Sequence, residues 1–404
     1  MKKLIAIFTA LVVFTSFAVA VLQTPSSILY FLNWGEYIDH ALVEKFEKEY
    51  NCQVIEEDVT SSESMYQKIT SDTTAYDVAI PGDYIVYQLY QEGYLEELDV
   101  NNTKYPYLSQ YRTMFQDDLS SLMAEYMVDS KTGEEFNTYF CPYFWGAYSI
   151  LYSTQKEDVP EVVNKNGFES LFERSLYQED VRLGMYDTAR WILSSYLMAK
   201  GYDPNITDYD GSKDGDLSAE IKNDVISALR EVKFDEFGND QLKRNVALGD
   251  LDLCFTQLGD FFDTLYLVYS ESKEKITPSF SVSVPTTTAA FFDSMVIPST
   301  CQNKDLANAF IDFMMNPVNA YQNATAIGYC PTLKSVVSRY QEEASKGAYY
   351  YGDENSLNSL TLKDFLNNYP MYLNPLYHSE NVYMLESKSQ AYLTTCESIF
   401  NALA

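Results

Sequence analysis

The chain has 404 residues, of which 46% are apolar and 15% aromatic, and its formal net charge is −30. The length favours two or three domains, and the composition excludes a disordered chain. The excess of acidic residues disfavours nucleic acid as a partner, because binding to phosphates needs Lys and Arg, and it favours small cations near the surface.

The first segment of the chain has the pattern of a secretory signal peptide. Two lysines precede an apolar stretch over residues 4–22, and Ala18-Val19-Ala20 has the form of a cleavage site. The stretch is also long enough to remain as an uncleaved membrane anchor. The first Cys is Cys52, so the chain has no lipoprotein attachment site after this stretch. We therefore expect an exported protein, periplasmic or at the cell surface, with residues 1–20 as its signal.

The next part of the chain alternates strands with helices. The apolar patterns predict strands at 28–32, 52–58 and 76–80 and helices at 40–50, 64–71 and 83–93. This order predicts an α/β lobe with a largely parallel sheet. Ligands of such sheets bind beyond the carboxyl ends of the strands, so residues 34–37 and 82–84 should face one crevice.

An unusual group of side chains follows the first strand. Trp34, Glu36 and Tyr37 come directly after the apolar residues 28–32. Aromatic faces can cover methylene groups and contact a cation, and a carboxylate can pair with an ammonium group. The group therefore predicts one wall of a site for an organic cation.

The middle of the chain, from about 142 to 288, repeats the α/β pattern. Strands are predicted at 182–187, 250–257, 279–285 and 291–298, and helices at 188–199, 304–315 and from Pro317 onward. Residues 203–216 are polar and rich in Asp and Gly, which predicts a surface loop. The tail, about 339–404, is predicted to be helical.

The chain contains six cysteines, at positions 52, 141, 254, 301, 330 and 396. In an exported protein they could pair in 15 ways, and their spacing selects none of them. No CxxC motif is present. We expect buried, free thiols, with one or two disulfides as the alternative.

Several blocks of sequence occur in the order found in a known family. They are ILYFLNWGEYI, VIEEDVTSSESMYQKI, YDVAIPGDYIV, CPYFWGAYSILYS, GMYDTARWIL, GDLDLCFTQLGD, FFDSMVIP and IGYCPT. In these blocks the chain resembles the polyamine-binding proteins of ABC uptake systems, the spermidine/putrescine type, within the type II periplasmic-binding-protein superfamily. The resemblance runs from about 28 to 335 and is weaker toward the end.

The resemblance implies an α/β, two-lobe fold like that of periplasmic binding proteins, with the ligand in a cleft between the lobes. Lobe 1 would comprise 25–140 plus 289–335, and lobe 2 would comprise 141–288 plus 336–404. The implied function is capture of a polyamine, putrescine or spermidine, and its delivery to ABC permease subunits in the membrane. A protein of this kind is a monomer, is not an enzyme, and needs no cofactor or metal.

The resemblance also implies which residues contact the ligand. They are Trp34, Glu36, Tyr37, Asp83, Tyr84, Asp187, Gln257, Asp260, Phe291, Asp293 and Tyr329. Asp293 is the strongest candidate, because a carboxylate within an apolar strand is costly unless it meets a cation. Two of these residues have an alternative structural role: Asp83 could cap the N-terminus of a helix, and Asp187 could lie within a strand.

Some positions depart from the family pattern. Thr188 and Trp191 occupy positions where spermidine binders carry acids, Gln257 replaces a Trp, and Gly82 stands where Ser is frequent. These changes predict a remodelled lobe 2 end of the site and leave open which residue pairs with a second ammonium. A shorter diamine, a different polyamine, or another cationic or polar ligand are all compatible with the sequence.

Three other classes of function compete with this interpretation. Tyr349-Tyr350-Tyr351 could indicate a ferric-ion binder of the same fold, although such a site also needs a His or carboxylate nearby. An enzyme such as a glycosidase would use paired carboxylates, but the sequence has no nucleophile-elbow, zincin or P-loop motif. A purely structural surface protein would have no closing cleft.

Overall fold

The computed structural model describes residues 27–402 of the chain, apart from residues 72 and 273. The predicted signal at residues 1–20 lies outside this range. Among the described residues, no helix combines the length and apolar character needed to cross a bilayer.

The described chain folds into alternating strands and helices, with short 3₁₀ turns between some of them. The strands are β1 (Ser27–Trp34), β2 (Cys52–Val59), β3 (Val78–Ala79), β4 (Leu95–Glu96), β5 (Cys141–Ser153), β6 (Leu183–Tyr186), β7 (Glu236–Gly238), β8 (Leu253–Gln257), β9 (Phe280–Ser283), β10 (Thr287–Met295), β11 (Ile297–Pro298), β12 (Cys330–Pro331), β13 (Tyr349–Tyr351), β14 (Leu360–Thr361) and β15 (Asn381–Met384). The helices are α1 (His40–Tyr50), α2 (Ser62–Thr70), α3 (Asp83–Gln91), α4 (Tyr111–Met114), α5 (Asp117–Tyr126), α6 (Val159–Asn166), α7 (Glu169–Phe172), α8 (Ala189–Ala199), α9 (Ala219–Val232), α10 (Asp240–Leu248), α11 (Leu258–Glu271), α12 (Lys304–Met315), α13 (Pro317–Ile327), α14 (Lys334–Ser345), α15 (Leu362–Asn368) and α16 (Gln390–Asn401).

The first sheet has the strand order β2-β1-β3, and both pairings are parallel. Helix α1 connects β1 to β2. Asp39 caps its first turn by accepting the Ala41 N–H, and Leu42 and Phe46 form its buried face. Helix α3 begins directly after β3. The parallel sheet predicted for the first part of the chain is therefore confirmed, and the loops after β1 and β3 lie at the same edge.

The second and larger sheet has the order β15-β10-β5-β8-β6-β7, and β9 and β12 also pair with β5. Strand β5 is 13 residues long and buried throughout, as its nearly continuous apolar sequence requires. It pairs antiparallel with β10. Two of the predicted lobe boundaries, at 140/141 and 288/289, fall near the starts of these two long strands. The lobe boundaries themselves stay a prediction.

The tail is not wholly helical, which corrects the expectation for residues 339–404. It contains β13, β14 and β15 in addition to helices. Strand β15 pairs in parallel with β10 and forms the edge of the larger sheet. Its short sequence, NVYM, carries little periodicity, and its pairing depends on a strand almost a hundred residues earlier in the chain.

The cysteines confirm the prediction of buried, free thiols. All six lie within the described residues and are unpaired, and five of them are buried. The remaining one, Cys301, is half-buried, and its Sγ lies 3.2 Å from Oδ1 of Asp77 as a hydrogen-bond donor.

A close approach between β5 and β10 gives a first prediction, for Gly146→Ala. The ring of Phe291 lies over Gly146, and a Cβ added there would be 2.6 Å from the ring atom Cζ. Because both residues belong to paired strands that cannot move apart freely, we expect a loss of about 1–3 kcal/mol of unfolding free energy. Thermal unfolding followed by circular dichroism measures it.

Gly35→Ala is the matched control for this experiment. A Cβ at residue 35 would have Oδ2 of Asp58 as its nearest neighbour, at 3.9 Å, which is ordinary van der Waals contact. Both substitutions reduce the entropy of the unfolded chain similarly. Equal melting temperatures for the two variants would show that the Phe291 ring moves aside without cost.

Candidate functional site

The centre of the candidate site is a hydrogen bond between residues 256 positions apart in the chain. The hydroxyl of Tyr37, in the loop after β1, donates to Oδ2 of Asp293 in β10 at 2.7 Å. Tyr37 is only 7% exposed. Burial raises the pKa of Asp293 to about 6, although the hydrogen bond from Tyr37 opposes this shift. The surroundings of Asp293 therefore destabilise its ionised form.

Tyr37 is held in place by aromatic neighbours. Its ring makes edge-to-face contacts with Tyr143, Phe144 and Tyr329, at centroid distances of 5.6, 5.4 and 5.2 Å. The Tyr143 hydroxyl donates to the carbonyl oxygen of Tyr37 at 2.9 Å and accepts from the Asn323 amide at 2.6 Å. This packing fixes the direction in which the Tyr37 hydroxyl points. The supporting role of Tyr143 was not predicted from the sequence.

A second carboxylate of the site, that of Asp260, is buried in the first turn of α11 and is 8% exposed. Its Oδ2 accepts from the Tyr186 hydroxyl at 2.6 Å, and its Oδ1 accepts from the Tyr329 hydroxyl at 3.2 Å. Since Tyr329 also packs against Tyr37, the two aromatic rings form a continuous link between Asp260 and Asp293.

Lys243 in α10 forms salt bridges with the carboxylates at this end of the site. Its Nζ lies 3.0 Å from Oδ2 of Asp263 and 3.6 Å from an oxygen of both Asp240 and Asp260. The residue is only 8% exposed. This ion pair was not predicted, because a single Lys in an amphipathic helix normally points toward solvent.

A glycine permits the contact between Tyr329 and α11. A Cβ added to Gly259 would lie 2.3 Å from two atoms of the Tyr329 ring. The ring therefore rests directly on the helix backbone, which brings its hydroxyl to Asp260. This explains in physical terms why the turn before Asp260 contains Gly.

The remaining residues of the first loop lie at different depths. Trp34 is half-buried, and its Nε1 donates to the carbonyl oxygen of Ile80 at 2.8 Å, which ties the loop after β1 to the loop after β3. Glu36 is exposed in a turn, with a φ of 56°. The structure thus groups Trp34 and Tyr37 near the sheet edge and directs Glu36 to the surface.

Asp83 is buried, and its carboxylate accepts hydrogen bonds from backbone N–H groups. It is the first residue of α3, and the N-cap is Gly82, so the predicted alternative role as N-cap is wrong. Its two oxygens accept from the backbone N–H groups of Tyr84, at 2.6 Å, and Phe292, at 3.1 Å. Burial raises the pKa of Asp83 to about 8. Asp83 therefore anchors α3 to β10 beside Asp293.

Aromatic rings extend the site toward α8. Phe291 is half-buried and lies 6.2 Å from Tyr148, whose ring is 5.9 Å from that of Trp191. Trp191 also packs at 5.4 Å from Tyr186. Tyr84 is half-buried at the start of α3, and burial raises the pKa of its hydroxyl. The position where the resembling family carries an acid thus contributes a ring face in this protein.

Asp187 and Gln257 remain apart from the Tyr37–Asp293 centre. Asp187 is exposed after β6, and its backbone N–H donates to the carbonyl oxygen of Gly238 at 3.0 Å. Gln257 is half-buried at the end of β8, opposite Tyr148 in the sheet. Neither side chain touches Asp293 through a described hydrogen bond.

The three consecutive tyrosines do not converge. Tyr350 stacks on Phe365 at 3.7 Å, and its hydroxyl donates to the carbonyl oxygen of Phe262 at 3.3 Å. Tyr351 packs against Tyr266 at 5.4 Å, and Tyr350 also contacts that ring at 6.2 Å. Among the described residues, no group of three or more His, Cys, Asp or Glu side chains is placed to hold a metal ion. The geometry of this segment therefore gives no support to a ferric-ion site.

The chain is similar in sequence to exported bacterial proteins that bind solutes. Residues 41–347 match the bacterial extracellular solute-binding protein family. The chain is 27% identical to the spermidine/putrescine-binding periplasmic protein of Escherichia coli, over 75% of this chain and 77% of that protein. It is 25% identical to the putrescine-binding periplasmic protein PotF of the same organism, over 74% and 76% of the two chains.

A solved structure gives the corresponding likeness in fold. The spermidine/putrescine ABC transporter substrate-binding protein PotD of Streptococcus pneumoniae superposes with a TM-score of 0.64 at 24% identity, covering 93% of this chain and 98% of that one. The predicted two-lobe α/β fold is confirmed.

Proposed function

This chain belongs to the bacterial extracellular solute-binding protein family, and from that premise we propose that it captures a polyamine, putrescine or spermidine, for an ABC transporter. The observation that supports this most directly is Asp293. Its carboxylate lies among aromatic rings, accepts the Tyr37 hydroxyl, and forms no salt bridge within the described part of the chain. A carboxylate so placed is suited to pair with a cation from outside.

The side chains around Asp293 are suited to an alkyl ammonium. The hydroxyl of Tyr37 orients the carboxylate, and we expect the half-buried rings of Trp34, Phe291 and Tyr329 to contact the methylene groups. A cation–π contact contributes roughly 0.5–2 kcal/mol, depending on desolvation. One paired ammonium and several ring contacts together are sufficient for a micromolar affinity, which corresponds to roughly −8 kcal/mol.

In the proposed mechanism, a polyamine docks on residues of lobe 1, and lobe 2 closes over it. The ligand favours the closed arrangement only through contacts that the open one lacks. ABC permease subunits in the membrane recognise the closed form, while the exported chain acts as a monomer. Chemistry on the ligand is not part of this function, which needs no catalytic residue, cofactor or nucleic acid.

Isothermal calorimetry of the chain without residues 1–20 tests this function. Putrescine, cadaverine, spermidine and spermine are titrated at moderate salt, and we expect saturable 1:1 binding of at least one of them at micromolar concentration. 1,4-Butanediol is the control, since it keeps the alkyl chain of putrescine but has no ammonium groups. Absence of saturable binding for all four amines, or equal binding of the diol, would contradict the proposal.

A further inference from the structure

The two carboxylates of the candidate site, half-buried Asp293 and buried Asp260, differ in what they already bind. Asp293 accepts the hydroxyl of Tyr37 on Oδ2, and its Oδ1 accepts no hydrogen bond that the described residues provide. Asp260, at the other end of the tyrosine link, is bonded through both oxygens. The site is therefore asymmetric: Asp293 has one oxygen without a hydrogen bond from the described residues, whereas both oxygens of Asp260 already accept one.

Both carboxylate oxygens of Asp260 have polar partners. Oδ2 accepts from the hydroxyls of Tyr186 at 2.6 Å and Thr256 at 3.5 Å, while Oδ1 lies 3.2 Å from the Tyr329 hydroxyl and 3.6 Å from Nζ of Lys243. A carboxylate offers about four acceptor positions. A ligand ammonium that approached Asp260 would therefore compete with these groups.

Lys243 places a protonated ammonium group beside Asp260. Its side chain comes from α10 and lies beside the first turn of α11, with Asp240, Asp260 and Asp263 around its Nζ. These carboxylates keep it protonated, and they raise its pKa against the effect of burial. A second ammonium brought to the same carboxylates would meet a like charge in a largely buried position.

We propose that Lys243 makes this protein selective for short diamines by occupying the place of a second, distant ammonium. The inference rests on the proposed function. One ammonium of the ligand pairs with Asp293, and the rest of the ligand extends along the aromatic rings without reaching Asp260. In putrescine the second ammonium rests on the aromatic faces, whereas the longer spermidine would carry a further ammonium toward Lys243.

The test compares putrescine and spermidine by calorimetry on the wild-type chain and on Lys243→Met. Methionine fills a similar volume without charge, so that Asp260 becomes free to accept an ammonium. We expect the wild-type chain to bind putrescine at least tenfold more tightly than spermidine. In Lys243→Met, spermidine affinity should rise at least tenfold, so that the ratio of putrescine to spermidine affinity falls by at least the same factor. Lys243→Arg, which keeps the charge, should retain the wild-type ratio.

The possible outcomes separate this inference from its premise. A wild-type chain that binds neither amine would remove the proposed function. A wild-type chain that binds spermidine as tightly as putrescine would overturn the inference alone, and this result needs no variant. The same conclusion follows if Lys243→Met leaves the ratio unchanged. If that variant does not fold, Lys243→Gln replaces it, because an amide can still hydrogen-bond to the surrounding carboxylates.

Discussion

Replacement of Asp293 by Asn is expected to lower the affinity for the polyamine at least tenfold. The amide has the same shape and can still accept the Tyr37 hydroxyl, so that the position of β10 is retained. It cannot neutralise an ammonium that has been withdrawn from water, and an ammonium left unpaired in this place is costly. Calorimetry with putrescine measures the loss, and thermal unfolding shows whether the fold persists.

Asp210→Asn is the matched control for this variant. It removes one negative charge from the chain, as Asp293→Asn does, but Asp210 is exposed in the polar loop between α8 and α9. Any general effect of the net charge on cation binding appears in both variants, whereas local pairing is lost in only one. Equal affinities of the two variants would remove Asp293 from the site.

The affinity is also expected to fall about tenfold between pH 7 and pH 5. The ammonium groups of putrescine stay protonated over this range, so the change arises in the protein. Asp293 has a pKa raised to about 6, and only its ionised form pairs with the ligand. About a tenth of the carboxyl is ionised at one pH unit below its pKa, which sets the size of the loss. Asp83, with a pKa of about 8, stays largely protonated throughout.

Calorimetry at pH 5, 6 and 7 checks this dependence, and two variants assign it. Asp293→Asn should show a weak affinity that does not change over the range. Tyr37→Phe removes a hydrogen bond that lowers the pKa of Asp293, so the midpoint should move to higher pH. A wild-type affinity that stays constant from pH 5 to pH 7 would show that Asp293 does not titrate with ligand binding.

The elements that could be predicted well are those whose ends have local causes. The bounds of α1 and α12 are those predicted, because each helix has an apolar face and begins at a capping side chain, Asp39 or Asn303. The strands β1 and β2 follow from apolar or alternating residues. These signals lie within a few residues of the feature that they specify.

The features that could not be predicted depend on distant parts of the chain. The edge strand β15 exists because β10 offers it a partner. The role of Lys243 was not predicted, because only the packing of α10 against α11 brings its side chain to Asp260 and Asp263. Periodicity carries no information on such contacts.

The candidate site was predicted through resemblance more than through pattern. The residues around the first strand suggested a cation site by themselves, but the pairing of Tyr37 with Asp293 joins segments 256 residues apart. Glu36 and Asp187, although chosen on the same resemblance, are exposed. Motif order can thus select candidate residues for a cleft without revealing how deeply each side chain lies.

The six free thiols have a practical consequence for the way in which this protein acquires its structure. Since every cysteine lies in the described part of the chain and none is cross-linked, its stability comes wholly from non-covalent packing. A disulfide would typically add 2–4 kcal/mol by restricting the unfolded chain. Folding accordingly has no oxidation or reshuffling step, which takes seconds to hours in proteins that need one. The chain without residues 1–20 can therefore be produced in a reducing cytosol without a thiol oxidase or a disulfide isomerase.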